Sequence, residues 1–160
     1  MVPSALIELA ENLGTLFIQR GWTLTTVESC TGGGLAYAIT SISGSSDWFE
    51  RSFVTYSDTA KQEMVDVKTQ TLQQYGAVSK QTAIEMAAGG LAHSHATVSL
   101  SITGIAGPSG GSVDKPVGTV WIAWVGKQHS MQTQHYVFQG NREAIREQAI
   151  REALYSLLQL

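Results

Sequence analysis

Short β-branched runs alternating with stretches of helical periodicity set the tightest limit on how this chain folds. Residues 22–28 (WTLTTVE), 52–57 (SFVTYS) and 97–103 (TVSLSIT) read as strands. Helices are expected at 33–42, from a cap at Asp58 (carrying Ala60, Lys61 and Met64), at 69–75, and from Ser79, where Ala83, Met86, Ala87, Gly90 and Leu91 share a face. Strands separated by helices favour parallel pairing, since the helix supplies the crossover that returns the chain to the same sheet edge. In 97–103, Val98, Leu100 and Ile102 point one way and Ser99, Ser101 and Thr103 the other.

A helix precedes these elements, with Leu6, Leu9, Ala10, Leu13, Leu16 and Phe17 at its spacing and Gly21 as its stop. After them, 118–126 (GTVWIAWVG) reads as a buried strand with 131–138 beside it as a hairpin, and Asn141 caps a final helix to Leu160. The expected fold is a three-layer α/β/α domain with a mixed, mostly parallel sheet and a late antiparallel hairpin. Nothing resembling a linker, repeat or low-complexity segment divides it, so residues 1–160 are expected to form a single domain.

In such sheets ligands gather at the carboxyl ends of the strands. Three ends carry candidates here: Ser29-Cys30-Thr31, Tyr56-Ser57 and Thr103-Gly104. They converge if the three strands are parallel neighbours. The segment 104–118 (GIAGPSGGSVDKPVG) holds five glycines and two prolines, and ordered loops of that length are usually functional.

The first of these ends lies in VESCTGGGL, residues 27–35. Glycines after Ser29 would let backbone N–H groups turn towards a ligand at the start of a helix. Ser29 has two readings, as an N-cap of that helix or as a nucleophile whose oxyanion the turn receives, and spacing alone favours the cap. The G-x-S-x-G elbow is absent, since Val27 and Thr31 occupy its glycine positions. Cys30 is the rival nucleophile, but none of the four histidines (93, 95, 129, 135) sits at a strand end to serve it, so a small buried hydrophobe is the simpler reading. Lys61 is a candidate base: early in a helix and, if buried, it would hold its proton weakly. An exposed lysine is the ordinary alternative. Tyr56 and Lys61 are spaced five apart, unlike the four of short-chain dehydrogenases, and no dinucleotide-binding glycine pattern follows the first strand.

Arg142 and Arg146 share a stripe of the last helix with Ala149, Ala153 and Leu157. Two cations at a helix N-terminus oppose its dipole, so an anionic partner, simple solvation or pairing of Arg146 with Glu143 would each account for them. His93 and His95 lack a third ligand, and no metal or cofactor site is expected. The net charge of −3 provides no basic field for nucleic acid, so a small molecule is the more plausible partner. One cysteine, no stretch of membrane-spanning length and no signal-peptide pattern point to the cytoplasm and to no membrane association.

ESCTGG (28–33), YSDTAK (56–61), GAVS (76–79), TGIAGPSGG (103–111) with KPVGTV (115–120), and GNREAIR (140–146) occur in that order. Together they resemble the C-terminal domain of the competence/damage-inducible CinA proteins, over about residues 5–158. The larger proteins carry an additional N-terminal domain, for which this chain is expected to have no room. The resemblance implies a metal-free amidohydrolase that converts nicotinamide mononucleotide to nicotinate mononucleotide and ammonia. It carries a serine nucleophile onto Ser29, a lysine base onto Lys61, and supporting residues onto Tyr56 and Thr103. Contacts to substrate would come from Cys30, Thr31, Gly32, Gly33 and Gly104, and phosphate recognition from Arg142 or Arg146. It also implies a homo-oligomer with sites near subunit interfaces. Other readings are a non-catalytic pyridine-nucleotide or phosphate-binding module linked to competence or DNA damage, and a serine amidase with another substrate.

Overall fold

The computed structural model describes residues 1–160. Its elements run α1 (Ser4–Arg20), β1 (Leu24–Glu28), α2 (Gly34–Thr40), β2 (Phe49–Val54), α3 (Asp58–Val65), α4 (Thr69–Tyr75), α5 (Lys80–Ala92), β3 (Val98–Gly104), β4 (Thr119–Gly126), β5 (His129–Val137) and α6 (Arg142–Leu158). A 3-10 turn at Ser45–Asp47, for which the sequence offered no expectation, leads into buried Trp48.

The sheet order is β2-β1-β3-β4-β5. Strands β2, β1 and β3 pair parallel, and β4 pairs antiparallel with both β3 and β5. Four of the five strands therefore run the same way, and the sheet is mixed as expected. Helices α1, α2 and α6 pack together on one face, and α3, α4 and α5 on the other. No helix is long and apolar enough to cross a membrane.

Strand β3 shows how the two faces are built. Its Val98, Leu100 and Ile102 enter the larger core with Leu13, Phe17, Ile145, Ala149 and Leu154. Its hydroxyl face is buried too, beneath α5. Ser101 Oγ donates to the Ala83 carbonyl at 2.6 Å, and a Cβ on Gly90 would lie 2.8 Å from Ser99 Oγ and 2.5 Å from Val27. The small residues of α5 thus let a helix backbone approach a sheet face of serines closely enough to hydrogen-bond it.

Local signals set most boundaries. Gly21 closes α1 in the left-handed region, Ser79 Oγ accepts from Thr82 N–H, and Asn141 Oδ1 accepts from Ala144 N–H. The second strand departs from expectation: it covers Phe49–Val54 rather than 52–57. Thr55 still donates to the Glu28 carbonyl at 2.8 Å, but Ser57 has become the N-cap of α3, accepting from Ala60 N–H at 2.9 Å. Ser57, not Asp58, is therefore the capping residue. The cap takes the chain out of the sheet before Tyr56, which is how that side chain reaches the strand-end surface. The last strand begins at His129, earlier than expected, because the turn after Gly126 is tight.

Candidate active site

The strand order brings the carboxyl ends of β2, β1 and β3 side by side, with Glu28 in register with Val54 and Ile102. Directly after β1, Ser29 N–H donates to Ile102 O, and Gly32 N–H closes a turn onto Ser29 O, both at 3.0 Å. Gly32 and Gly33 have φ of 57° and 95°, left-handed conformations that a side chain would strain. They reverse the chain into α2.

Ser29 does not cap that helix. Glu28 does: its fully buried carboxylate accepts from Leu35 N–H at 2.9 Å, Ala36 N–H at 3.0 Å and Thr31 Oγ at 2.7 Å. An anion at the helix N-terminus satisfies orphan donors and the macrodipole together. This corrects two sequence-level readings. The cap is not Ser29, and the dipole of α2 is directed at an internal carboxylate rather than at a ligand.

Freed from capping, Ser29 Oγ lies 3.0 Å from Lys61 Nζ. Lys61 is 1% exposed, and its Nζ also donates to the carbonyls of Thr55 at 2.9 Å and Tyr56 at 3.1 Å. Burial pushes its pKa below the ordinary lysine value, against a smaller opposing effect from Asp58. Nζ has three hydrogen-bond partners here, and on losing a proton it can keep its N–H bonds to the two carbonyls while its lone pair turns to the serine hydroxyl. The ordinary alternative of an exposed lysine is not what the fold produces.

Cys30 is 6% exposed, and burial pushes its thiol up to about 12. Its sulfur packs against Gly104, where a Cβ would sit 3.2 Å from Sγ and 2.6 Å from Val120. A thiol in this state is a packing group, not a nucleophile. An aromatic disulfide reagent at pH 8 is expected to titrate no thiol in the folded protein and a full equivalent in denaturant; rapid reaction of the folded protein would refute the assignment.

A cleft of about 330 Å³ opens over the dyad, lined by Ser29, Cys30, Tyr56, Lys61, Thr103, Gly104 and Arg142 among others. Arg142 reaches across it, Nη1 to the Gly107 carbonyl at 2.7 Å and Nη2 to the Tyr56 hydroxyl at 3.3 Å. Tyr56 is 62% exposed at the rim. Thr103 is buried, its hydroxyl donating to Ala77 O at 2.8 Å. Thr31, Gly32, Gly33 and Arg146 lie outside this lining. Arg146 forms no pair with Glu143; it donates to the carbonyls of Cys30 and Thr31.

The sequence left the other wall unassigned. Ala77 and Val78 before α5, and Ile105, Ala106, Gly107, Ser109 and Gly110 after β3, complete the cleft. The length of the 104–118 loop was the available signal, and GAVS marked the other contributor.

The chain is similar to known proteins over nearly its whole length. A family model described as CinA C-terminal domain matches residues 6–160. A protein named nicotinamide-nucleotide amidohydrolase PncC from Escherichia coli K12 is 50% identical, over 99% of this chain and 96% of its own length. One of the same name from Pseudomonas putida is 45% identical over 95% and 94%. A crystal structure of the competence/damage inducible protein CihA from Agrobacterium tumefaciens superposes with a TM-score of 0.97 at 42% identity, covering 100% of this chain and 99% of that one.

Proposed function

The chain belongs to the CinA C-terminal domain family, and from that membership we propose that it is a nicotinamide-nucleotide amidohydrolase, releasing ammonia from nicotinamide mononucleotide. The observation that carries the mechanism is the 3.0 Å approach of Lys61 Nζ to Ser29 Oγ, with both other amine partners being carbonyls.

Lys61 takes the hydroxyl proton as Ser29 Oγ bonds to the carboxamide carbon. The resulting oxyanion is received by the backbone N–H of Cys30, which borders the cleft and donates to no backbone carbonyl. The C–N bond then breaks as Lys61 returns the proton to the departing ammonia, leaving an acyl-serine. Water, deprotonated by the same amine, attacks the ester, and Ser29 is restored as nicotinate mononucleotide leaves. Tyr56 orients Arg142, and Thr103, by holding Ala77, fixes the opposite wall. Arg142 faces the phosphate with guanidinium N–H groups beyond the two it spends on Gly107 and Tyr56. The expectation of a homo-oligomer with sites near its interfaces belongs to the same reading and rests on the family resemblance.

Incubation of the purified protein with nicotinamide mononucleotide, followed by an ammonia assay, tests this. Ammonia and nicotinate mononucleotide should appear in equal amounts; binding without release would instead identify a nucleotide-binding module. Arg142→Ala is expected to raise KM by about 10- to 100-fold with a much smaller change in kcat, as for loss of a charged hydrogen-bond donor to an anion. An unchanged KM would remove Arg142 from phosphate recognition.

A further inference from the structure

We propose that Arg146 is a positioning residue that aims the backbone amide of Cys30 in the oxyanion turn, an inference that rests on the amidohydrolase reading and deepens it. The sequence offers Arg142 and Arg146 as equivalent cations one helical turn apart, but the fold separates them. Arg142 lines the cleft, whereas the half-buried Arg146 places Nε 3.1 Å from Cys30 O and Nη2 3.3 Å from Thr31 O. No carboxylate lies within salt-bridge distance of it: the arginine–carboxylate pairs of the molecule are Arg51–Glu50 and Arg151–Glu152.

Peptide geometry turns this grip into a constraint on the catalytic side. The sole cis peptide is Gly107–Pro108, so the peptides of the turn are trans, and each carbonyl points opposite to the N–H that follows it. Drawing Cys30 O towards α6 sends Thr31 N–H away from α6. Drawing Thr31 O the same way sends Gly32 N–H back into the turn, where it meets Ser29 O. That last bond in turn directs Cys30 N–H outward. The Cys30 amide, at the edge of the cleft and without a backbone acceptor, is the one assigned to the oxyanion; the Thr31 amide lies behind it in a fully buried residue.

Glu28 anchors the same segment independently, through Thr31 Oγ. The turn is thus held by an anion through a side chain and by a cation through two carbonyls. A cation on the Thr31 carbonyl also polarises that peptide, strengthening the Gly32 N–H bond to Ser29 O that aims the Cys30 amide. The planar guanidinium suits two neighbouring carbonyls in a way a single ammonium cannot.

The experiment compares Arg146→Met, Arg146→Lys and Arg142→Ala with the unsubstituted enzyme, measuring kcat and KM by ammonia release and nicotinate mononucleotide binding by calorimetry. Arg146→Met should lose about 10- to 100-fold in kcat, with KM and product affinity within about twofold, since a donor is misaimed rather than deleted. Arg146→Lys, which keeps charge and most of the packing, should also lose kcat, and it supplies the measurement if the methionine variant unfolds. Arg142→Ala should show the converse pattern. A rise in KM with weaker product binding in the Arg146 variants, or full kcat in Arg146→Lys, would overturn the positioning role. Lack of turnover by the unsubstituted protein would overturn the amidohydrolase reading itself, an outcome readily told apart from the others.

Discussion

Ser29→Ala is expected to lower kcat for ammonia release by at least about 10⁴-fold while leaving nucleotide affinity within a few-fold of the parent, because it deletes the bond-forming atom and little else. The hydroxyl makes a single contact with another side chain, Lys61. The backbone N–H of Ser29 keeps its bond to Ile102 O, so the turn survives the substitution. Stopped assays with enzyme in excess would detect even a single turnover. Retention of more than about a hundredth of the parent rate would refute nucleophilic catalysis, since about 10²–10⁴ is what acid–base assistance alone supplies. The neighbouring thiol is not a substitute: it is buried and pushed up to about 12.

Lys61 yields the second large effect, together with a pH signature. Lys61→Met should cost about 10²–10⁴-fold in kcat/KM, the range for loss of a general base. Lys61→Arg should be as inactive, because a guanidinium stays charged and cannot accept the serine proton. In the parent enzyme, kcat/KM should fall on the acid side, tenfold per pH unit below the Lys61 pKa. Burial sets that pKa below the ordinary lysine value, so the limb lies on the acid side of it. Stability follows with a definite sign. The folded state binds this proton more weakly than the unfolded chain, so between the folded and unfolded pKa values the unfolded state holds more protons. Lys61 therefore contributes a stability that rises with pH across that window. A pH-independent kcat/KM, or an active Lys61→Arg enzyme, would remove Lys61 from the base role.

Glu28 marks the limit of what spacing reveals. A serine followed by glycines before a helix is the pattern of an N-cap, yet the carboxylate one residue earlier takes the donors of α2. The strand alternation of β1 allows this, since Glu28 and Ser29 point to opposite faces: one towards the helix it caps, the other towards α3. Similarly, alternation separates the serines of β3 from its apolar side chains but does not say that α5 buries them. Conversely, α4 falls on residues 69–75 as expected, and Ser79 and Asn141 cap as expected, because capping is decided within a few residues.

Helical periods, strand alternation, the caps of α5 and α6 and the glycine turn were determined by the sequence alone, since each follows from backbone stereochemistry and hydrogen bonding over one or two turns of chain. Strand ends and helix position offered Ser29 and Lys61 as candidates, and the ordered motifs gave them roles. Only the tertiary structure decided which partners those residues meet: strand order β2-β1-β3 sets the serine beside a buried lysine, and α6 presents one arginine to the cleft and the other to the turn behind it. The physical reason is that an amine's proton affinity and a guanidinium's choice of acceptor depend on desolvation and on groups far away in sequence, and these come into being only when the layers pack.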